Sequence, residues 1–99
     1  MDKGVAVHWT WDPVKADMNM RKHGVSFDLA ARSLGDPLAL TLPDPYAAQE
    51  RWRTIGSPSA AGAVVLLVVH TWPDDGDIPG RIISARVATS HERRAYEEG

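Results

Sequence analysis

The spacing of apolar side chains switches along the chain between a period of two and a period near 3.6, which marks the expected strands and helices. Alternation over residues 5–10 predicts a first strand. Asp12 and Pro13 suit the start of a helix, and Gly24 suits its end. Ser26 is the expected N-cap of a second helix, which carries an apolar stripe of Phe27, Ala30, Ala31 and Leu34.

Further strands are expected in close succession after the second helix. Leucines alternate with other residues over 38–42, and residues 50–55 alternate in the same way. Residues 63–69 are apolar throughout, which is typical of a central strand covered on both faces. Residues 81–87 open with β-branched side chains, which favours a last strand.

This last strand carries two arginines and leads into a helix. Strict alternation makes Arg81 and Arg86 point to opposite faces of the sheet. Guanidinium groups within a sheet indicate an anion or a carboxylate partner. Thr89 followed three residues later by Glu92 is the pattern of a capping box, which predicts a short C-terminal helix. The same alternation assigns one face to Ile83, Ala85 and Val87 and the other to Ile82, Ser84 and Arg86.

The order of these elements, with short connections between the later strands, predicts an α+β fold. We expect an antiparallel β-sheet of about four to five strands, two N-terminal helices and a short C-terminal helix. The 99 residues fit a single domain over positions 1–99. A hydrophobic share of 43% is ordinary for a globular chain and too high for a disordered one.

Composition removes several classes of function. The chain has no cysteine, so disulfides, thiolate zinc sites and cysteine nucleophiles are excluded. It has no H-E-x-x-H segment and no paired His/Asp cluster at ligand spacing, so neither a metal nor a cofactor is expected. The N-terminus shows no signal-peptide pattern, and the longest apolar run, residues 63–69, is too short to span a bilayer. Both observations favour a cytoplasmic protein without membrane contact.

The charge is distributed unevenly. A formal net charge of −2 argues against binding nucleic acid by bulk attraction alone. Local basic surfaces remain possible, because arginines are concentrated near the C-terminus. The first helix also carries a polar stripe on one face, although such a stripe is more often a solvated surface than a binding site. Its members are Lys15, Asn19, Lys22 and His23.

Several segments occur together in an order that is specific to one family. They are WDPVK at 11–15, Asn19, RKHGVSF at 21–27, Asp36-Pro37, residues 51–56, and RIISAR at 81–86 running on to Glu92 and Tyr96. KHG alone would mean little, whereas KHGVSF followed by RIISAR and a T-x-x-E helix is a specific combination. From Trp9 to Glu98 the chain resembles the BrnT family of bacterial toxins.

The resemblance implies a fold similar to that of the RelE toxins and a ribonuclease of a type II toxin–antitoxin system. Such a toxin cuts RNA without a metal ion and arrests translation when free. The implied partners are a BrnA-like antitoxin that neutralises the toxin, the RNA substrate, and operator DNA only through the antitoxin. One position departs from the expected pattern, because His70 stands where we expect the family to favour tyrosine.

Cleavage of RNA without a metal needs a base for the 2′-hydroxyl, a cation for the phosphate and an acid for the leaving oxygen. Arginine suits the phosphate, because its planar fork stays charged. Histidine suits proton transfer, because an imidazole ordinarily has a pKa near 6.5. The candidate catalytic residues are Lys22, His23, Arg81, Arg86 and Glu50. Which group is the base and which the acid stays open.

A second set of side chains is suited to hold RNA. Tryptophan can stack on exposed bases, and arginine can bind phosphates. The candidate RNA-binding residues are Arg51, Arg53, Trp52 and His70, and Trp72 is a further stacking candidate. Tryptophans are nevertheless more often part of a core or an interface than of a stacking platform.

Structural alternatives stand beside these roles. His23 directly precedes Gly24, the glycine expected to end the first helix, and would also serve as a cation at that helix end. Arg86 would equally well pair with Glu50 or Glu92 to join sheet and helix. A rival function is therefore a non-catalytic antitoxin-binding module or promoter co-repressor.

Overall fold

The computed structural model describes residues 9–45, 50–72 and 79–99. In this part of the chain, a five-stranded sheet carries helices on both sides. The elements in chain order are β1 (Trp9–Thr10), α1 (Pro13–His23), α2 (Phe27–Leu34), β2 (Leu40–Pro43), β3 (Trp52–Gly56), β4 (Leu66–His70), β5 (Gly80–Val87) and α3 (Ser90–Glu98). The strand order is β1-β5-β4-β3-β2. The predicted α+β class is confirmed, with one difference: β1 pairs parallel to β5, so the sheet is mixed.

The ends of the first two helices lie where local sequence predicts them. Asp12 accepts a hydrogen bond from the backbone N–H of the second residue of α1, and Ser26 accepts one at the start of α2. Gly24 ends α1 with a φ of 70°, in the left-handed region that favours glycine. Of the first predicted strand, residues 5–8 lie outside the described residues, and Trp9–Thr10 form β1.

Apolar side chains are buried on both faces of β4, the middle strand, as its uninterrupted apolar run predicts. One cluster lies between the sheet and the helices α1 and α2, and consists of Val25, Phe27, Ala30, Leu66, Val68, Ile82 and Ala85. The other lies on the α3 side, and consists of Ile55, Val65 and Leu67. Burial of these clusters is the main favourable contribution to folding.

The strict alternation expected along β5 is wrong, because the strand contains an irregularity. Val69 of β4 pairs with Ser84, whereas its neighbour His70 pairs with Ile82, which leaves Ile83 as an extra residue on β5. A β-bulge of this kind shifts by one position the residues that face each side. It cannot be read from the alternation of β5 alone.

The bulge brings the two arginines of β5 to the same side of the sheet. Ile82 and Ala85, which strict alternation assigned to opposite faces, are both buried against α1 and α2. Arg81 precedes Ile82 and Arg86 follows Ala85, so alternation around the bulge directs both arginines to the α3 side. We call this side of the sheet the arginine face.

Asn19 joins α1 to the outer edge of β5. Its side-chain amide donates to the carbonyl oxygens of Ala85 and Val25, at 2.8 and 3.0 Å, and its carbonyl accepts from the N–H of Ala85 at 3.1 Å. The side chain therefore replaces a missing neighbouring strand at Ala85. Asn19 is only 7% exposed, so the polar stripe of α1 is not a uniformly solvated face.

Candidate functional site

An open groove of about 570 Å³ lies between α1 and the part of β5 beyond its pairing with β1. Met18 and Ile83 supply apolar surface, and Asn19 and Ser84 add polar atoms. The remaining side chains that line it are basic, and no carboxylate is among them. These basic residues are Lys15, Arg21, Lys22 and His23. The groove thus brings together two of the predicted catalytic residues, Lys22 and His23.

The basic side chains of the groove are uncompensated. None of them makes a side-chain hydrogen bond or ion pair with the described part of the chain. Arg21, Lys22 and His23 lie in the last turn of α1, where the helix dipole favours cations and offsets part of their mutual repulsion. A concentrated positive potential of this kind attracts an anion despite the negative net charge of the chain.

Ser84 connects this groove to the arginine face. It lines the groove, and it also pairs across the sheet with Val69, which in turn pairs with Arg53 of β3. Residues opposite each other on neighbouring strands share a face, and two strand spacings amount to about 10 Å. The groove and the arginine face are therefore neighbouring parts of one surface.

Arg86 is held by a carboxylate on this face. Its two terminal nitrogens donate to the two carboxylate oxygens of Glu92, at 2.8 and 2.9 Å, and Arg53 lies 3.9 Å from the same carboxylate. Glu92 also completes the predicted capping box of α3 with Thr89. Of the two carboxylates predicted as partners of Arg86, Glu50 and Glu92, the structure shows Glu92. The pairing is not sealed off, because a third of the Arg86 side chain is exposed (33%).

The electrostatics of this pair suit binding rather than proton transfer. The hydrogen bonds from Arg86, which outweigh the opposing effect of burial, lower the pKa of Glu92 to about 2. The hydrogen bond to Glu92 raises the pKa of Arg86, against the opposing effect of burial. Both groups consequently stay charged at neutral pH, and Arg86 is a fixed cation with a defined orientation.

Other predicted residues lie at the margins of the arginine face. Arg81 is exposed and, although its backbone pairs with β1 and with Thr71, it does not line the groove. Arg51 is half-buried and precedes β3, and Glu50 is exposed beside it. The structure thus does not gather all five predicted catalytic residues into one cavity.

Trp52 and His70 lie on the other side of the sheet, and His70 is fully buried. Its Nδ1 donates to the Thr71 carbonyl at 2.9 Å, so in the neutral ring Nε2 accepts from the Thr54 hydroxyl at 2.6 Å. Trp9 packs edge-on against the ring, at 5.0 Å between centroids. Because His70 is buried and both of its ring nitrogens are hydrogen-bonded within the core, its position does not favour the predicted contact with RNA.

Trp52 packs in the same aromatic group. Its ring lies 5.8 Å from that of Trp72, and its indole N–H is buried without a hydrogen-bond partner in the described structure. Trp72 is 56% exposed. Of the two tryptophans, Trp72 rather than Trp52 presents an open ring surface, so the direct stacking role predicted for Trp52 is not favoured by its position.

The buried imidazole predicts that stability falls in mild acid. Burial lowers the pKa of His70 below 6.5, against the opposing effect of its hydrogen bond to Thr71. Below pH 6.5 the unfolded chain binds a proton that the folded chain excludes, so the free energy of unfolding decreases by up to about 1.4 kcal/mol per pH unit. Urea denaturation at pH 7.5 and pH 5.5 measures this difference. It should disappear in His70→Gln and persist in the exposed control His91→Gln.

Sequence reasoning missed His91, in the first turn of α3. It lines a second cleft, of about 240 Å³, together with Arg53 and Glu92. The capping box places His91 directly before Glu92 at the start of the helix. Because Glu92 binds Arg86, its neighbour His91 also lies at the arginine face. The position of His91 next to the capping-box glutamate was the sequence signal that could have indicated this.

The described residues were also compared with the patterns of a metal site and of a membrane-spanning helix. Among residues 9–45, 50–72 and 79–99, no group of three or more His, Asp or Glu side chains is arranged to hold a metal ion. In the same ranges no helix is long and apolar enough to cross a bilayer.

Comparisons with known proteins agree with this architecture. The crystal structure of the Brucella abortus ribonuclease toxin BrnT is similar, with a TM-score of 0.55 and 26% sequence identity, over 81% of this chain and 94% of that chain. A search of curated proteins returned no match. A family model described as "Ribonuclease toxin, BrnT, of type II toxin-antitoxin system" matches residues 11–92. Because that match spans most of the sequence, the chain belongs to the BrnT family of ribonuclease toxins of type II toxin–antitoxin systems.

Proposed function

We propose that this protein cleaves RNA without a metal ion, at the surface where the α1–β5 groove meets the arginine face. The observation that carries this proposal is a groove with no carboxylate in its lining, whose basic side chains have no ion-pair partner among the described residues. Such a lining repels a divalent cation and attracts a phosphodiester. Family membership supplies the substrate class, and the groove supplies a place for the chemistry.

The reaction requires a balanced transfer of one proton at each end. A base removes the 2′-hydroxyl proton, the 2′-oxygen attacks phosphorus, and the 5′-oxygen leaves with a proton from an acid. The products are a 2′,3′-cyclic phosphate and a 5′-hydroxyl. In our proposal His23 transfers a proton, and Lys22 stabilises the charge that develops on the phosphate.

The arginines position the RNA on either side of this step. Arg86 is oriented by Glu92, and Arg81 is exposed on the same face, so both can bind phosphate oxygens. Arg53 on β3 and Arg51, directly before that strand, extend the same basic surface. Glu50 remains a candidate proton acceptor at its margin, since its exposed carboxylate makes no bond within the described residues.

The most direct test is analysis of RNA ends produced by the isolated chain in EDTA. We expect cleavage to proceed and to leave 2′,3′-cyclic phosphates, because attack by the neighbouring hydroxyl needs no metal-bound water. Cleavage that requires added Mg²⁺, or that leaves other termini, contradicts the metal-free mechanism. Intact RNA in cells arrested by expression of the chain favours the rival function, a non-catalytic binding module.

The proposal extends to regulation by a BrnA-like antitoxin in the cytoplasm. Type II systems pair a toxin with a protein antitoxin, and the family assignment carries that expectation to this chain. In this proposal the protein reaches operator DNA only through the antitoxin, since its own net charge is −2. An antitoxin that binds the folded toxin stabilises it by mass action.

A further inference from the structure

The second cleft lies between the sheet and α3 and differs in character from the α1–β5 groove. It is smaller, about 240 Å³, and its walls are apolar. These walls are Leu42, Ile55, Leu67 and Ala95. Its polar lining consists of a guanidinium, an imidazole and a carboxylate, from Arg53, His91 and Glu92. It thus offers a mostly apolar cleft with a few polar groups, the usual character of a small-ligand site.

We propose that this cleft is a subsite for one unpaired nucleobase of the RNA that is cleaved at the neighbouring groove; the inference rests on the proposed ribonuclease function. Imidazole and guanidinium planes both stack on bases, so His91 and Arg53 can cover a base whose other contacts are aliphatic. The carboxylate of Glu92 already accepts from Arg86 and from the Thr89 N–H, and its Oε2, which accepts only from Arg86, can accept a further hydrogen bond from a base edge.

The position of the cleft makes RNA its fitting occupant. Arg53 lines the cleft and pairs with Val69, whose other partner is Ser84 in the groove. The distance of about 10 Å across those strands is short enough for one RNA strand of a few nucleotides to reach from the groove to the cleft. Glu92, in the same cleft, orients Arg86, so a phosphate on Arg86 would place its nucleotide beside the cleft. A phosphate-binding surface continuous with an apolar cleft fits a nucleotide, which has both a phosphate and a base, better than an acidic peptide, which would need only the cations.

Ala95→Phe tests the subsite by filling the cleft from its α3 wall. The probe is a short RNA with a 2′-deoxy group at the scissile position, compared with versions that lack one base at each position in turn. For the wild type, loss of one particular base should weaken binding by about 5- to 100-fold, the range typical of one stacked base. Ala95→Phe should lose the same affinity and become insensitive to that deletion. Ala60→Phe, exposed in a turn outside the cleft, is the matched control.

A second variant covers the case in which Ala95→Phe does not fold. His91→Ala removes an exposed side chain and should reduce the penalty for deleting that base while leaving the melting temperature unchanged. If both variants bind every probe as the wild type does, the subsite is disproved even though the wild type cleaves RNA. If the wild type neither cleaves nor binds RNA, the ribonuclease proposal itself fails, and the subsite with it.

Discussion

Replacing His23 with alanine is expected to lower the rate of RNA cleavage by about 10²- to 10⁴-fold, the usual loss when a proton-transfer group is removed. His23 lines the groove, and its side chain makes no hydrogen bond or ion pair within the described residues. The imidazole is therefore available to a substrate, and its removal breaks no hydrogen bond or ion pair among the described residues. Single-turnover cleavage of a defined RNA, at saturating protein, measures the chemical step directly.

Two comparisons separate catalysis from the helix-end role of His23. As a cation at the C-terminus of α1, His23 would contribute about 0.3–2 kcal/mol to stability, and its loss would lower the melting temperature without abolishing cleavage. Lys22→Ala should lower the cleavage rate, because Lys22 is assigned to the charge that develops on the phosphate, and should also flatten the dependence of RNA binding on salt. Arg32→Ala, on the exposed surface of α2 outside the groove, should change neither quantity. A wild-type cleavage rate in His23→Ala would exclude this residue from the mechanism.

Features that depend on neighbours in sequence could be predicted. Gly24 ends α1 because a left-handed residue satisfies the last carbonyl groups, and Ser26 starts α2 because its hydroxyl accepts an orphan N–H. The capping box of Thr89 and Glu92 forms for the same reason. Each signal lies within a few residues of the structure that it determines, so no knowledge of the tertiary fold is needed.

Features that depend on the register between strands could not be predicted from the sequence. The extra residue at Ile83 is defined by the pairing of β5 with β4, and no local pattern marks it. As a consequence, alternation along the sequence predicts Arg81 and Arg86 on opposite faces of the sheet, whereas the structure places them on one face. His70 is similar: its alternating position is compatible with either face, and only the sheet shows that it is buried with Thr54.

The candidate site shows the same division. Lys22 and His23 are neighbours on one helix, so their common groove follows from α1 alone. Glu50 and Glu92 could be distinguished as partners of Arg86 only once the position of α3 against the sheet was known. The position of His91 at the arginine face depends on the same packing of α3. Chemistry that is assembled from one element was predictable, and chemistry that is assembled between elements was not.

Asn19→Ala is expected to be the most destabilising single substitution on α1, at about 2–4 kcal/mol. The amide makes three hydrogen bonds in a buried position, two with the backbone of Ala85 and one with Val25. Removing it leaves a buried N–H and buried carbonyl oxygens without partners, and each such group costs about 1–3 kcal/mol, reduced where water enters. Urea denaturation at neutral pH measures the loss, and Met18→Ala, at an exposed neighbouring position (61%), is the control.

The same substitution tests whether this edge of the sheet is closed by a side chain. In the wild type, the amide of Ala85 should exchange its hydrogen slowly, because Asn19 accepts that hydrogen in a buried site. In Asn19→Ala its exchange should accelerate far more than that of Val68, which lies inside the sheet opposite Ala85. An unchanged stability together with continued protection of Ala85 would show that neighbouring backbone, rather than Asn19, closes the edge. A free edge would also offer its backbone groups to another chain, so the variant should associate more readily than the wild type.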